Sequence, residues 1–124
     1  MFGFPNPFQP FAPAAAPSDD RSTSGKGTGR IVLINTFVVP THMEDAFLQW
    51  WRMSRMFFSA QPGFVSAKLH RSLDQKERYR FINVAEWDSP QAYRDALGSI
   101  WSAVPRPTIP GMEWHPALYE VIEE

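Results

Sequence analysis

The stretch QPGFVSAKLHRSLDQKERYRFINVAEWDSP, residues 61–90, reads as one β-hairpin leading into a helix. Pro62-Gly63 is turn punctuation. Phe64 to Arg71 is a strand-length run, with Val65, Ala67 and Leu69 on one parity and Phe64, Ser66, Lys68 and His70 on the other. Ser72 to Glu77 is a polar, charged connection. Arg78 to Trp87 is a second run, rich in the aromatic and β-branched residues that suit strands. Asp88-Ser89-Pro90 then starts a helix, with Ser89 as N-cap and Pro90 at the first helical position, where a missing N–H costs nothing.

The rest of the chain is placed against this hairpin. Ile31 to Val39 is apolar at every position but Asn35 and Thr36, the pattern of a central strand covered on both faces, and Pro40 stops it. Thr41 to Ser59 reads as a helix, with Thr41 and Glu44 spaced as a capping box. Met43, Ala46, Phe47, Trp50, Trp51, Ser54, Phe57 and Phe58 share one face of it, and Arg52 and Arg55 fall away from that face. A second helix is expected over Pro90 to Val104, carrying Tyr93, Ala96, Leu97, Ile100, Trp101 and Val104 at the same period. His115 to Ile122 is a last strand, and Pro116 near its start points to a sheet edge.

The element order is β-α-β-β-α-β, a ferredoxin-like α+β fold: a four-stranded antiparallel sheet with two helices on one face. Two helices cover one sheet face only. Val32, Ile34 and Val38 oppose Ile31, Leu33 and Phe37, so the first strand is apolar on both sides. The uncovered face calls for a partner, and a second copy of the chain is the simplest one, giving a homodimer.

Composition bounds the function. The chain has 124 residues, enough for one domain, with 44% hydrophobic and 20% charged residues and a formal net charge of −1. Nothing in it is basic enough for a nucleic-acid footprint. The absence of cysteine excludes disulfides, zinc ribbons, iron–sulfur ligation and thiol nucleophiles. Three histidines at these spacings give no metal motif. No apolar run approaches the roughly 18 residues needed to span a membrane, and no secretory pattern opens the chain, so the default location is cytoplasmic.

Residues 1–29 form a Pro/Gly-rich leader, expected to be disordered, ahead of a folded domain at 30–124. In it Phe2, Phe4, Phe8 and Phe11 alternate with Pro5, Pro7, Pro10 and Pro13 before Ser, Asp and Gly take over. A sharper reading makes the leader a docking segment for a partner or for the domain itself. Ser24 to Gly29 lacks the first Gly of a phosphate loop and any preceding strand, so it reads as a linker.

The segments Pro62-Gly63-Phe64, Leu69-His70-Arg71-Ser72 and Phe81-Ile82-Asn83-Val84-Ala85-Glu86-Trp87-Asp88-Ser89 resemble the antibiotic biosynthesis monooxygenase family of dimeric α+β barrels. The first strand with its helix, and the closing His115-Pro116-Ala117-Leu118-Tyr119, fit the same pattern, so the likeness covers roughly residues 30–122. The resemblance implies a dimer and a small oxygenase acting on a quinol- or polyketide-type aromatic, without a bound cofactor. The family also holds haem degraders, so haem is the alternative. That branch uses an Asn on strand one, matched by Asn35, a Trp on helix two and a His about ten residues later. Ungapped counting from Trp87 puts Ala96 and Arg106 at the last two positions. A third reading keeps the fold as a non-catalytic ligand-binding dimer.

Oxygenation without metal or flavin requires the substrate to supply the electrons. A deprotonated phenol or anthrone can reduce O₂ directly, given a base, donors for the substrate oxygens and a dry aromatic pocket. His70 and His115 are the base candidates, because imidazole changes charge near neutral pH. Asn35 joins them as a catalytic candidate that orients an oxygen or stabilises an oxyanion, and Asn83 is a second amide for substrate binding. Phe37, Trp50, Phe57, Trp87, Trp101 and Tyr119 are the candidate walls. The plainer reading makes His70 a hairpin surface residue, His115 structural, and the helix-one aromatics core. Asn35 is the most informative position, since an amide in an apolar central strand requires a hydrogen-bond partner.

Overall fold

The computed structural model describes residues 29–124. Apart from Gly29, the leader expected to be disordered lies outside the described residues. The strands are β1 (Ile31–Val38), β2 (Phe64–Arg71), β3 (Phe81–Trp87) and β4 (Glu113–Tyr119), and the helices are α1 (Glu44–Ser59) and α2 (Pro90–Leu97). The sheet order is β2-β3-β1-β4 with every neighbouring pair antiparallel. This is the expected ferredoxin-like topology, with β1 and β3 central and Pro116 on an edge strand.

Alternation sorts the two sheet faces. Ile31, Leu33, Asn35 and Phe37 of β1 are buried, while Val32, Ile34, Thr36 and Val38 are half-buried. The buried set packs under α1 around Phe47, which is wholly inaccessible. Its ring lies 4.8 Å from Phe37 and 4.7 Å from Phe81. A second aromatic cluster occupies the other end of the sheet, where Trp87 meets Phe58, Phe64 and Tyr93 at centroid separations of 5.8, 5.4 and 5.7 Å.

Several local expectations change on folding. Thr41–Met43 is a 3₁₀ turn with no side-chain cap, so the capping box does not form. Glu44 pairs instead with Arg80 at 2.9 Å, both side chains largely shielded, and Arg80 also donates to the Ser72 carbonyl. The second helix stops at Leu97. Gly98 and Ser99 interrupt it, and Ile100–Ser102 continues as a separate 3₁₀ turn. Its start is as read: the Ser89 hydroxyl accepts from the Ala92 N–H at 3.1 Å. The last strand runs two residues earlier at its start and three earlier at its end than the sequence pattern suggested.

The hairpin departs from strict alternation at one point. The β2–β3 register shifts between Phe64 and Ser66, leaving Val65 as an inserted residue. Phe64 therefore pairs with Trp87 and joins Ala67 and Leu69 on the helix-covered face. The Pro62-Gly63 turn delivers it there. Gly63 has φ 88°, and a Cβ at this position would sit 2.5 Å from the Ala92 Cβ, so the turn can press against α2 only without a side chain.

Candidate active site

A narrow cleft, about 420 Å³ only when the open solvent in front of it is included, lies between the sheet and α1. Its floor is Leu33, Asn35 and Phe37 of β1 with Asn83, Ala85 and Trp87 of β3. One helical line of α1, Trp51, Ser54, Arg55 and Phe58, forms a wall at spacings of three and four. Phe64 and Ala67 of β2 and Tyr93 of α2 complete it.

Asn35 and Asn83 are direct register partners across the β1–β3 ladder. Both point to the helix-covered face, and Asn35 is 2% exposed. Among the described residues neither Oδ1 has a hydrogen-bond partner, although both atoms are buried. A buried amide oxygen left in this state costs about 1–3 kcal/mol. Two of them, side by side on a cleft floor, are a pair of groups arranged for something outside the chain. Rotation of either carboxamide presents an oxygen or an NH₂, so the pair can accept or donate.

The remaining lining is apolar apart from three groups. The Ser54 hydroxyl donates to the Trp50 carbonyl at 3.1 Å, so it is occupied within its own helix. The Tyr93 phenol is almost wholly buried, and desolvation pushes its pKa well above the ordinary value. It stays protonated at neutral pH and is no base there. Arg55 is half-buried, its guanidinium carbon 5.2 Å from the Phe64 ring centroid. The lining contains no imidazole, carboxylate or ammonium group.

Four of the sequence-predicted site residues therefore meet here: Asn35, Asn83, Phe37 and Trp87. The other six do not. His70 and His115 lie on the helix-free face, where His70 Nδ1 approaches the Ile82 carbonyl at 3.3 Å. His115 sits 3.7 Å from Glu113 and edge-on to Tyr79. His70 pairs with Ile82 of β3, and the even-numbered β1 positions Thr36 and Val32 pair with His115 and with Tyr119, which is 52% exposed. Within one chain, then, neither histidine shares a face with Asn35. Trp50 is buried core, its indole N–H donating to the Pro105 carbonyl at 3.2 Å. Phe57 packs edge-to-face on Phe58, and Trp101 lies under Arg106 at 4.7 Å, both outside the cleft lining.

Sequence reasoning missed Trp51, Arg55, Phe64 and Tyr93 as cleft residues. The i, i+4 relation of Trp51 to Arg55 was a usable signal, since it places the arginine over a residue already assigned to the inward stripe. Phe64 was hidden by the inserted Val65, which no alternation rule reveals.

The family model described as antibiotic biosynthesis monooxygenase matches residues 30–100. Deoxynogalonate monooxygenase of Streptomyces nogalater is 32% identical over 80 residues, a match spanning 62% of this chain and 63% of that protein's length. The structure of a candidate monooxygenase from Shewanella loihica PV-4 is 35% identical with a TM-score of 0.70, covering 77% of this chain and 97% of that one. SnoaB, a cofactor-independent oxygenase from Streptomyces nogalater, is 19% identical as a mutant structure with a TM-score of 0.56, covering 77% and 95%. The heme-degrader MhuD of Mycobacterium tuberculosis, with two hemes in its active site, is 21% identical with a TM-score of 0.59, covering 76% and 97%. At such identities the last two bear on fold alone.

Proposed function

This chain belongs to the antibiotic biosynthesis monooxygenase family, and from that premise we propose that it oxidises a quinol- or anthrone-type aromatic with O₂ in the Asn35–Asn83 cleft. The observation that carries the reading is the pair of unpartnered amides on the floor of an aromatic cleft. The carboxamide NH₂ groups donate to the oxygen of the bound aromatic and stabilise the negative charge that ionisation places there. Leu33, Phe37 and Trp87 keep that anion out of water, which strengthens the hydrogen bonds it receives.

The lining supplies no base, so the substrate proton leaves to solvent through the open mouth. The amides favour its loss. The anion passes an electron to O₂, and recombination forms a carbon–oxygen bond. For an anthrone methylene, loss of water from the resulting hydroperoxide gives the ketone. One oxygen atom enters the product and the other leaves as water. The four electrons that reduce O₂ all come from the methylene carbon.

Haem is a poor occupant of this donor set. His42 is exposed in the 3₁₀ turn, and His70 and His115 lie on the opposite sheet face. The phenol of Tyr93 is held protonated by burial, which disfavours metal ligation. No described lining residue offers an axial ligand.

The helix-free face is the proposed homodimer surface. Val32, Ile34 and Val38 of β1 adjoin Ile82 and Val84 of β3 and Ala117 of β4 on that side. Among the described residues no helix is long and apolar enough to cross a membrane.

The test is O₂ uptake by protein freed of metal and haem, with dithranol as the anthrone probe. Uptake above the autoxidation rate, with one atom of ¹⁸O₂ in the product, supports the reading. A rate equal to autoxidation, or activity only after haem is added, overturns it.

A further inference from the structure

Arg55 is the only charged residue in the described cleft lining. It is half-buried, and no described carboxylate forms an ion pair with it. The one other half-buried arginine among the described residues, Arg80, has Glu44 at 2.9 Å. A partly desolvated guanidinium without a counter-charge loses hydration that no described carboxylate returns. Arg55 is nonetheless held in position, because its guanidinium stacks on Phe64, which the Val65 insertion turns into the cleft.

Its place relative to the amides is defined by the sheet. Phe64 pairs with Trp87, four residues along β3 from Asn83, so the arginine end and the amide pair are separated by roughly 13 Å of strand. We propose that Arg55 makes the cleft selective for flat aromatic ligands carrying a carboxylate at the edge away from the Asn35–Asn83 pair. The planar guanidinium matches a carboxylate in bidentate geometry, and the aromatic rings between the two ends match a fused-ring body. This assignment rests on the cleft being the substrate site and adds the class of substrate that it takes.

The test needs no turnover. Anthracene-2-carboxylate and its neutral isostere 2-acetylanthracene are titrated into the full-length protein, and binding is followed by quenching of tryptophan fluorescence. The wild-type protein binds the carboxylate about tenfold or more tightly than the ketone, a preference that weakens as salt is raised. Arg55→Gln and Arg55→Ala bring the two affinities within about twofold by weakening the carboxylate alone, and Arg55→Lys keeps part of the preference. Circular dichroism checks that each variant is folded, and the Lys variant decides the matter if the other two are not. Equal binding of both probes to the wild type, or equal weakening of both by Arg55→Gln, overturns the assignment. Failure of both probes to bind overturns it together with the cleft reading. Intact charge preference without any O₂ uptake leaves Arg55 in its role and sinks only the oxygenase reading.

Discussion

Asn35 and Asn83 face each other across the two central strands, and each keeps a buried carboxamide oxygen that no described residue satisfies. A purely structural pair would be expected to bond to each other or to the backbone. Asn35→Ala should therefore change the unfolding free energy by no more than about 1 kcal/mol, because it removes a group already left unpaired. The same change should lower kcat/KM by roughly 10²-fold on an active substrate, as does loss of one oxyanion donor elsewhere. Urea denaturation and steady-state kinetics on one preparation separate the two effects. Severe unfolding with unchanged specific activity would show a structural role.

Phe47 anchors the core beside the amide pair, between Phe37 and Phe81. Phe47→Ala should cost about 3–5 kcal/mol, since the surrounding sheet and helix cannot collapse fully into the space. Chemical denaturation reads this directly, and a loss below 1 kcal/mol would mean that the packing around Phe47 is wrong.

Gly63→Ala should be costly out of proportion to its size. It adds a Cβ 2.5 Å from that of Ala92, at a φ of 88°. The expected loss is about 2 kcal/mol or more, together with weaker ligand binding, because the turn also positions Phe64. Thermal melts and the fluorescence titration check both parts.

Tyr93 gives a pH-dependent signature. Burial raises its pKa above the usual phenol value of 10.0, so the native state holds the proton where the unfolded state has lost it. The native state then binds more protons, and stability falls as pH rises above about 10, having been fully present below it. Tyr93→Phe should flatten this alkaline loss relative to the wild type. Urea midpoints from pH 8 to 11 measure the difference, and identical slopes would contradict the burial argument.

The half-buried apolar face of β1 predicts a dimer in solution. Val84→Asp, on that face opposite Ile34, should shift sedimentation at micromolar concentration from dimer to monomer while leaving the far-ultraviolet spectrum intact. A wild-type monomer under the same conditions would leave the face without its proposed partner.

The architecture was legible because hydrophobic period, turn residues and the Ser89-Pro90 cap all agree with the tertiary fold. Asn35 and Asn83 were legible for a different reason: amides interrupt apolar strands at positions whose parity the alternation fixes. His70 and His115, singled out for their chemistry, lie within one chain on the sheet face opposite Asn35, a separation that parity already carried. His70 and Asn83 sit on opposite sides of the same hairpin, and one residue of register decides it. Phe64 was beyond reach from pattern alone, and for Arg55 the i, i+4 relation to Trp51 was the one signal. Their places depend on a one-residue insertion and on a stacking contact that forms only after the hairpin docks against α1. Thr41 also shows local spacing overruled, since Glu44 gains more from Arg80 across the fold than from a cap within its own turn.

The proposed role of the paired amides is to stabilise a substrate oxyanion. Anaerobic absorbance titration of dithranol bound to the protein measures that stabilisation without any turnover. Binding should lower the apparent pKa of the probe by about one unit or more, and the Asn35→Ala/Asn83→Ala double variant, still binding it, should return the value most of the way to that in water. A bound probe that ionises at the same pH as the free one, or that keeps its full shift in the double variant, would contradict it.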